Sequence, residues 1–230
     1  MLKLEDVLIT QGDFRMQADF TLEVGRKYAV IGPSGAGKST LLGALCGFVP
    51  LAAGRMYWEE RDISNAAPNA RPMTMLFQDN NLFPHLSVLQ NVGLGLRPDL
   101  RLTAQERETV ENALSRVDLS NFATAKPGTL SGGQQSRVAL ARVLVQARPL
   151  VLLDEPFAAL GPALRNEMLD VVRDTVAQTG AAMVMVTHAP EDVRRIADEV
   201  IFVEGGRAHA PRPAAALMDD PPPELRAYLG

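Results

Sequence analysis

Nine residues, Gly32-Pro33-Ser34-Gly35-Ala36-Gly37-Lys38-Ser39-Thr40, constrain this chain more than any others, because Gly-x-x-x-x-Gly-Lys-Ser here follows a short apolar run. Residues 27–31 read as a buried strand and residues 38–48 as the helix after it. Strand, glycine-rich turn and helix in that order form a cradle for phosphate. The glycines let several backbone N–H groups converge on one anion, and the helix N-terminus adds its partial positive charge. In this arrangement Lys38 reaches the outer phosphates of a nucleotide, and Ser39 offers its hydroxyl to a magnesium ion that bridges them. A glycine-rich turn can also cap a helix by chance, so the rest of the chain has to decide.

Its 230 residues, 47% of them apolar, suffice to bury about 70% of the unfolded surface in one large domain with a small appended lobe. Cys46 is the single cysteine and so forms no internal disulfide; a packed thiol in a reducing compartment is expected. Lys3, Glu5 and Asp6 interrupt any secretion signal, and no eighteen apolar residues run unbroken, so export and membrane spanning are not expected. A formal charge of −4 leaves no basic stripe, and nucleic acid is not expected as a partner.

Alternating apolar and polar residues at 1–10, 18–24 and 55–58 suggest an antiparallel ribbon, and residues 73–77 return as a second core strand. After Gln78 the texture turns loop-like and then helical to about residue 146, which reads as an inserted helical lobe. Within it Thr103 and Glu106 form a capping-box pattern, with Val110, Ala113, Leu114 and Val117 on one helical face. Residues 150–153 form a short, wholly apolar strand of the kind a parallel sheet buries on both faces. Leu164, Met168, Val171 and Val172 line a helix ending near Gly180, and residues 182–186 make the next buried strand. One domain results, with a core of 1–78 and 147–210, a helical lobe of 79–146 and a Pro/Ala-rich tail of 211–230 carrying a short helix at 224–229.

Two more motifs carry chemistry. Leu130-Ser131-Gly132-Gly133-Gln134 precedes a helix through Val138, Leu140, Ala141 and Leu144. Helix capping explains Ser131 and Gln134 but not the paired glycines. The strand at 150–153 runs into Asp154 and Glu155. Acids at a strand end are commonly just solvated; beside a phosphate cradle, Asp154 can hold magnesium through a water and Glu155 can take a proton from an attacking water.

The ordered set of the cradle at 32–40, Gln78 after a strand, Leu-Ser-Gly-Gly-Gln at 130–134, Leu-Leu-Asp-Glu-Pro at 152–156 and Thr187-His188 resembles the ATP-binding subunit of ABC transporters over roughly residues 1–207. The resemblance implies an α/β fold of the P-loop NTPase, ABC ATPase type: a RecA-like core, an antiparallel β ribbon and an inserted helical subdomain. It also implies ATP and Mg2+ as ligands and a head-to-tail dimer in which each ATP lies between two copies. By position, Gly32, Pro33, Ser34, Gly35, Ala36, Gly37, Lys38, Ser39 and Thr40 would hold the phosphates, and Ser39, Gln78 and Asp154 the magnesium. Ser131, Gly132, Gly133 and Gln134 would meet the partner copy's terminal phosphate. Glu155 would be the general base, His188 would position the water, and Gln78 would also couple the site to the helical lobe.

Two positions depart from the family pattern. Gly161 stands where an aspartate is usual, which removes a carboxylate that couples the two sites. Phe14, the candidate for stacking on adenine, lies in the irregular stretch Gln11-Gly12-Asp13-Phe14, where core packing is the competing role.

More narrowly, the opening Met1-Leu2-Lys3-Leu4, residues 71–83 and residues 91–96 resemble the ATPase subunit of bacterial thiamine importers. This implies a peripheral subunit on the cytoplasmic face of the bacterial inner membrane. Its ATP hydrolysis would drive import through a separate membrane permease, fed by a periplasmic substrate-binding protein. Importers of iron, polyamine or sulfate have related ATPases and are the nearest alternatives; a non-transport ABC ATPase is more distant. Residues 77–96 lie where such subunits receive a permease helix, so Leu82, Phe83 and Leu86 are either docking contacts or packing of the helical lobe.

Overall fold

Fully apolar strands with helical crossovers form parallel sheets covered on both faces, whereas alternating strands joined by tight turns form ribbons. This chain contains both kinds, joined edge to edge. The structure, a computed structural model, describes residues 1–158, 160–223, 225 and 226. The first half runs β1 (Leu2–Gln11), β2 (Phe14–Leu22), β3 (Lys27–Ile31), α1 (Lys38–Cys46), β4 (Leu51–Trp58), β5 (Arg61–Asp62) and β6 (Met73–Leu76). The helices α2 (Val88–Gly93), α3 (Ala104–Arg116) and α4 (Gly132–Leu144) follow. Then come β7 (Leu150–Asp154), α5 (Pro162–Thr179), β8 (Ala182–Val186), α6 (Pro190–Ile196), β9 (Glu199–Glu204), β10 (Arg207–Ala208), β11 (Arg212–Pro213) and α7 (Ala214–Asp219).

The strand order is β5-β4-β1-β2-β10-β9-β3-β8-β7-β6, with β11 on β9. From β9 to β6 the neighbours are parallel; β1, β2, β4 and β5 pair antiparallel. Strand periodicity distributes the core between the two faces. Leu150 and Leu152 of β7, with Val184 and Val186 of β8, join α1 and the ribbon in one cluster containing Leu41, Leu45, Ile9 and Met56. Val151, Leu153, Met183 and Met185 face the other way, onto α4 and α5 through Leu140, Val172 and Leu169. Each of these fully buried aliphatic side chains contributes about 1.5–3 kcal/mol.

The strands read at 27–31 and 182–186 end where expected. The helix expected over 38–48 stops at Cys46, because Gly47 takes a left-handed turn with its N–H on the carbonyls of Gly43 and Ala44. Buried Arg71 completes that cap: Nη1 donates to the carbonyls of Ala44 at 2.8 Å and Leu45 at 2.6 Å, while Nε and Nη2 reach Ala66 and Ser64. The helix of the cradle is thus tied at its far end to the loop before β6. Cys46 is buried, and burial pushes its thiol up to about 12, as suits a packed, unreactive group.

Gln11 and Phe14 pair across a two-residue turn, so the irregular stretch is a tight hairpin and Phe14 opens β2. Ribbon strand β4 starts at Leu51, four residues before the alternation shows, because Gly54 at φ +81° accommodates a bulge opposite Asp6. The Pro/Ala-rich stretch contains β11 and α7, whose Ala214, Leu217 and Met218 are buried with Ala29 and Ile31. The helix expected at 224–229 lies largely outside the described residues.

Candidate functional site

Ligands of open α/β sheets sit outside the carboxyl ends of parallel strands, and four neighbouring strands deliver the motifs there. Strand β3 leads into the glycine cradle, β8 into Thr187-His188, β7 into Asp154-Glu155, and β6 into Gln78. Their order in the sheet is β3-β8-β7-β6, so segments far apart in sequence meet at one edge.

In the cradle Gly32 has φ +152°, and a Cβ there would lie 2.1 Å from the carbonyl oxygen of Val203. Only glycine lets the turn pass β9. Gly32→Ala is therefore expected to lower stability by about 3 kcal/mol through strain and overpacking; an unchanged melting temperature would contradict this geometry. Helix α1 begins on Gly37 in the left-handed region, with no side-chain cap and no acidic residue in its first turn. Helices α2, α3 and α4 each begin with a reciprocal capping box instead. The N-terminal N–H groups of α1 are thus left for an anion. Lys38 is only 5% exposed, and its Nζ donates to the carbonyls of Gly32 at 2.8 Å and Pro33 at 2.9 Å. Burial lowers its pKa, against the opposing charges of Glu155 and Asp154.

Ser39 Oγ donates to Asp154 Oδ1 at 3.0 Å. Burial raises the Asp154 pKa, and the Ser39 bond works the other way. Glu155 turns out of β7 at φ +45°, a conformation a glutamate adopts at a cost of order 1–3 kcal/mol and that clusters at active sites. Its Oε1 lies 2.8 Å from His188 Nε2; a carboxylate accepts, so the bond calls for the proton on Nε2. Both residues line a cleft of about 270 Å³ with Arg165, Thr187 and Asp192. A wider cleft of about 510 Å³, lined by Asp6, Gln17, Arg207 and Arg212, shares no residue with the motifs, so size does not mark the site.

Gln78 is exposed in the turn after β6. Phe14 is half-buried against the core, and its ring touches the cradle: a Cβ on Gly37 would come 2.2 Å from Phe14 Cζ. Ser131 caps α4, with Gln134 N donating to Ser131 Oγ at 3.3 Å and Ser131 N to Gln134 Oε1 at 2.9 Å. The two glycines differ. A Cβ on Gly133 would press on Leu164 and Leu160, whereas one on Gly132 would meet nothing within 4 Å. Gly161 is the N-cap of α5, followed by proline at the first helical position. The segment 130–134 shows no hydrogen bond to the cradle in this single chain.

Sequence reading missed three supports. Asn91, fully buried, accepts from Phe83 N at 2.8 Å and donates to the carbonyls of Phe83, Leu86 and Ser87, holding Phe83 out at 45% exposed. Arg142 donates to the carbonyls of Asn80 and Asn81, just past Gln78. Asp192 binds Thr187 and Arg165 beside His188. Ser87 and Gln90 carried a readable capping signal, whereas Arg142 reaches its partners across 61 and 62 residues and Asp192 reaches Arg165 across 27, distances no local pattern encodes.

A family model described as ABC transporter matches residues 16–158. The chain is 58% identical to a thiamine import ATP-binding protein, ThiQ, of Cereibacter sphaeroides, over the whole of both chains. It is 55% identical to the protein of that name from Ruegeria sp., again over the whole of both. Among solved structures, the dimeric ATP-binding cassette MJ0796 in a post-hydrolysis state bound to ADP and Pi superposes with a TM-score of 0.82 at 27% identity, covering 93% of this chain and 99% of that one. Family model, full-length relatives and superposed cassette agree with the motif-bearing strand ends: this chain belongs to the ABC transporter family, as an ATP-binding subunit.

Proposed function

We propose that this chain binds MgATP in the glycine cradle, hydrolyses it with Glu155 as general base, and uses the cycle to drive import of thiamine through a separate membrane permease. The observation that carries the reading is the convergence of cradle, Asp154-Glu155 and His188 on adjacent strand ends, with Glu155 and His188 2.8 Å apart. Thiamine as cargo rests on the relatives at 58% and 55% identity, both thiamine import ATP-binding proteins.

The Gly32–Thr40 backbone and Lys38 hold the phosphates. Ser39 and Asp154 offer hard oxygen donors, and Gln78 follows β6, the strand paired with the β7 that carries Asp154, a set that fits Mg2+ held by few protein oxygens and the phosphates. Bound there, magnesium neutralises charge on the phosphate oxygens. Glu155 takes the proton of the attacking water, and His188 orients Glu155 through Nε2–H and thereby the water bound to it. Phe14, touching Gly37, lies where a base bound beyond the phosphates can rest on its ring.

The second half of the pocket comes from a second copy of this chain, docked head to tail. Gly132 supports this reading, since no described residue comes within 4 Å of a Cβ placed there, which leaves room at the head of α4 for another subunit's terminal phosphate. Among the described residues no helix is long and apolar enough to cross a membrane. Phe83 and the half-buried Leu86 form the permease contact in this reading, and Leu82, which packs against the buried cluster of the helical lobe, is left out of it. Aromatic contact between Phe48 and Phe77, ring centroids 5.5 Å apart, adds apolar surface next to Gln78.

Uptake of labelled thiamine in a strain lacking its own copy tests the reading. The parent chain should restore uptake. Phe83→Asp, exposed and outside the site, should keep its soluble ATPase but lose uptake and co-purification with the permease. Restored uptake by Phe83→Asp would refute the docking face, and rescue of iron, polyamine or sulfate uptake instead of thiamine would refute the cargo.

A further inference from the structure

We infer that Arg165 and Asp192 are positioning residues for hydrolysis, acting through the backbone that aims His188. The inference rests on the reading of Glu155 and His188 as the hydrolytic pair. His188 is 42% exposed and bonded to Glu155 at 2.8 Å, and the peptide units on either side of it set where its ring starts from. Asp192 is 5% exposed, in the first turn of α6. Its Oδ2 accepts from Thr187 Oγ1 at 2.7 Å and from Arg165 Nη2 at 2.5 Å. Thr187 Oγ1 in turn accepts from Ala189 N at 3.1 Å, and Thr187 N donates to the carbonyl of Val30 at 3.2 Å. Residues 187 and 189 are thus both bound to one network, with His188 between them.

Arg165 brings in a second element. It sits in the first turn of α5, its N–H on the carbonyl of Gly161 at 2.9 Å, so the ion pair joins the heads of α5 and α6 around the cleft that holds Glu155. Among the described residues Arg165 Nε is sealed from solvent without a hydrogen-bond partner, while Nη2 of the same guanidinium is on Asp192. A buried ion pair is weak evidence for stability, and orienting a neighbouring group is the role it serves better. Because Gly161 carries no carboxylate, this pair is the charged link that the start of α5 makes to the His188 loop.

The test measures steady-state ATPase and ATP affinity of the full chain carrying Arg165→Met, Asp192→Asn, Arg165→Lys or Thr187→Val, each alone and combined with His188→Ala. Thr187→Val keeps the ion pair and the side-chain shape, so it reports even if the charge variants fold poorly. Arg165→Met, Asp192→Asn and Thr187→Val are each expected to lower kcat about 10-fold, with ATP affinity within about twofold and Arg165→Lys retaining most activity. In the His188→Ala background the same changes should cost nothing more. Unchanged kcat in the single variants, losses that multiply with that of His188→Ala, or affinity falling in step with kcat would each overturn the inference. Normal turnover by His188→Ala alone would overturn the underlying reading as well, and is recognised separately.

Discussion

Glutamine at position 155 is expected to lower ATP turnover by about 10²–10⁴-fold while ATP still binds. The substitution keeps the side chain's shape, and its amide oxygen can still accept from His188 Nε2, so the 2.8 Å contact survives. What disappears is an oxygen able to take a proton from water. The strained backbone at φ +45° holds the group in place whichever side chain stands there. Single-turnover hydrolysis on the purified chain, with ATP binding measured in parallel, checks this. Parent-like hydrolysis by Glu155→Gln would remove Glu155 as the base.

Lys38→Ala should act at the preceding step. The buried ammonium is held inside the turn by the carbonyls of Gly32 and Pro33. Bound phosphates would replace neutral acceptors by charged ones, and a hydrogen bond to a charged group contributes about 1.5–3 kcal/mol. Losing one or two such bonds should weaken ATP affinity by roughly 10- to 10³-fold. Equilibrium titration with ATP measures it. Affinity equal to that of the parent would mean that the cradle does not close on phosphate through Lys38.

The elements legible in sequence were those whose signal is local. Strands β3 and β8 are short apolar runs bounded by breakers, and the boxes at Ser131 and Thr103 state their helix starts outright. The cradle, Asp154-Glu155 and His188 were readable because fixed strand–turn contexts carry them. What sequence hid is long-range. The bulge that lengthens β4 depends on Asp6 opposite Gly54, and α7 hides in a Pro/Ala-rich composition whose apolar residues find partners on β3 and β9. Arg71 caps a helix from 26 or 27 residues away, and Asp192 reaches Arg165 across 27. Spacing along the chain carries no trace of such pairs.

Two copies of the chain are expected to share each pocket, each copy giving its cradle to one ATP and the head of α4 to the other. Light scattering on Glu155→Gln tests it most directly, with hydrolysis blocked and MgATP saturating. Twice the monomer mass with ATP, reverting to the monomer with ADP, is the predicted result. A single-chain mass under saturating MgATP, in protein shown by titration to have bound it, would contradict the account.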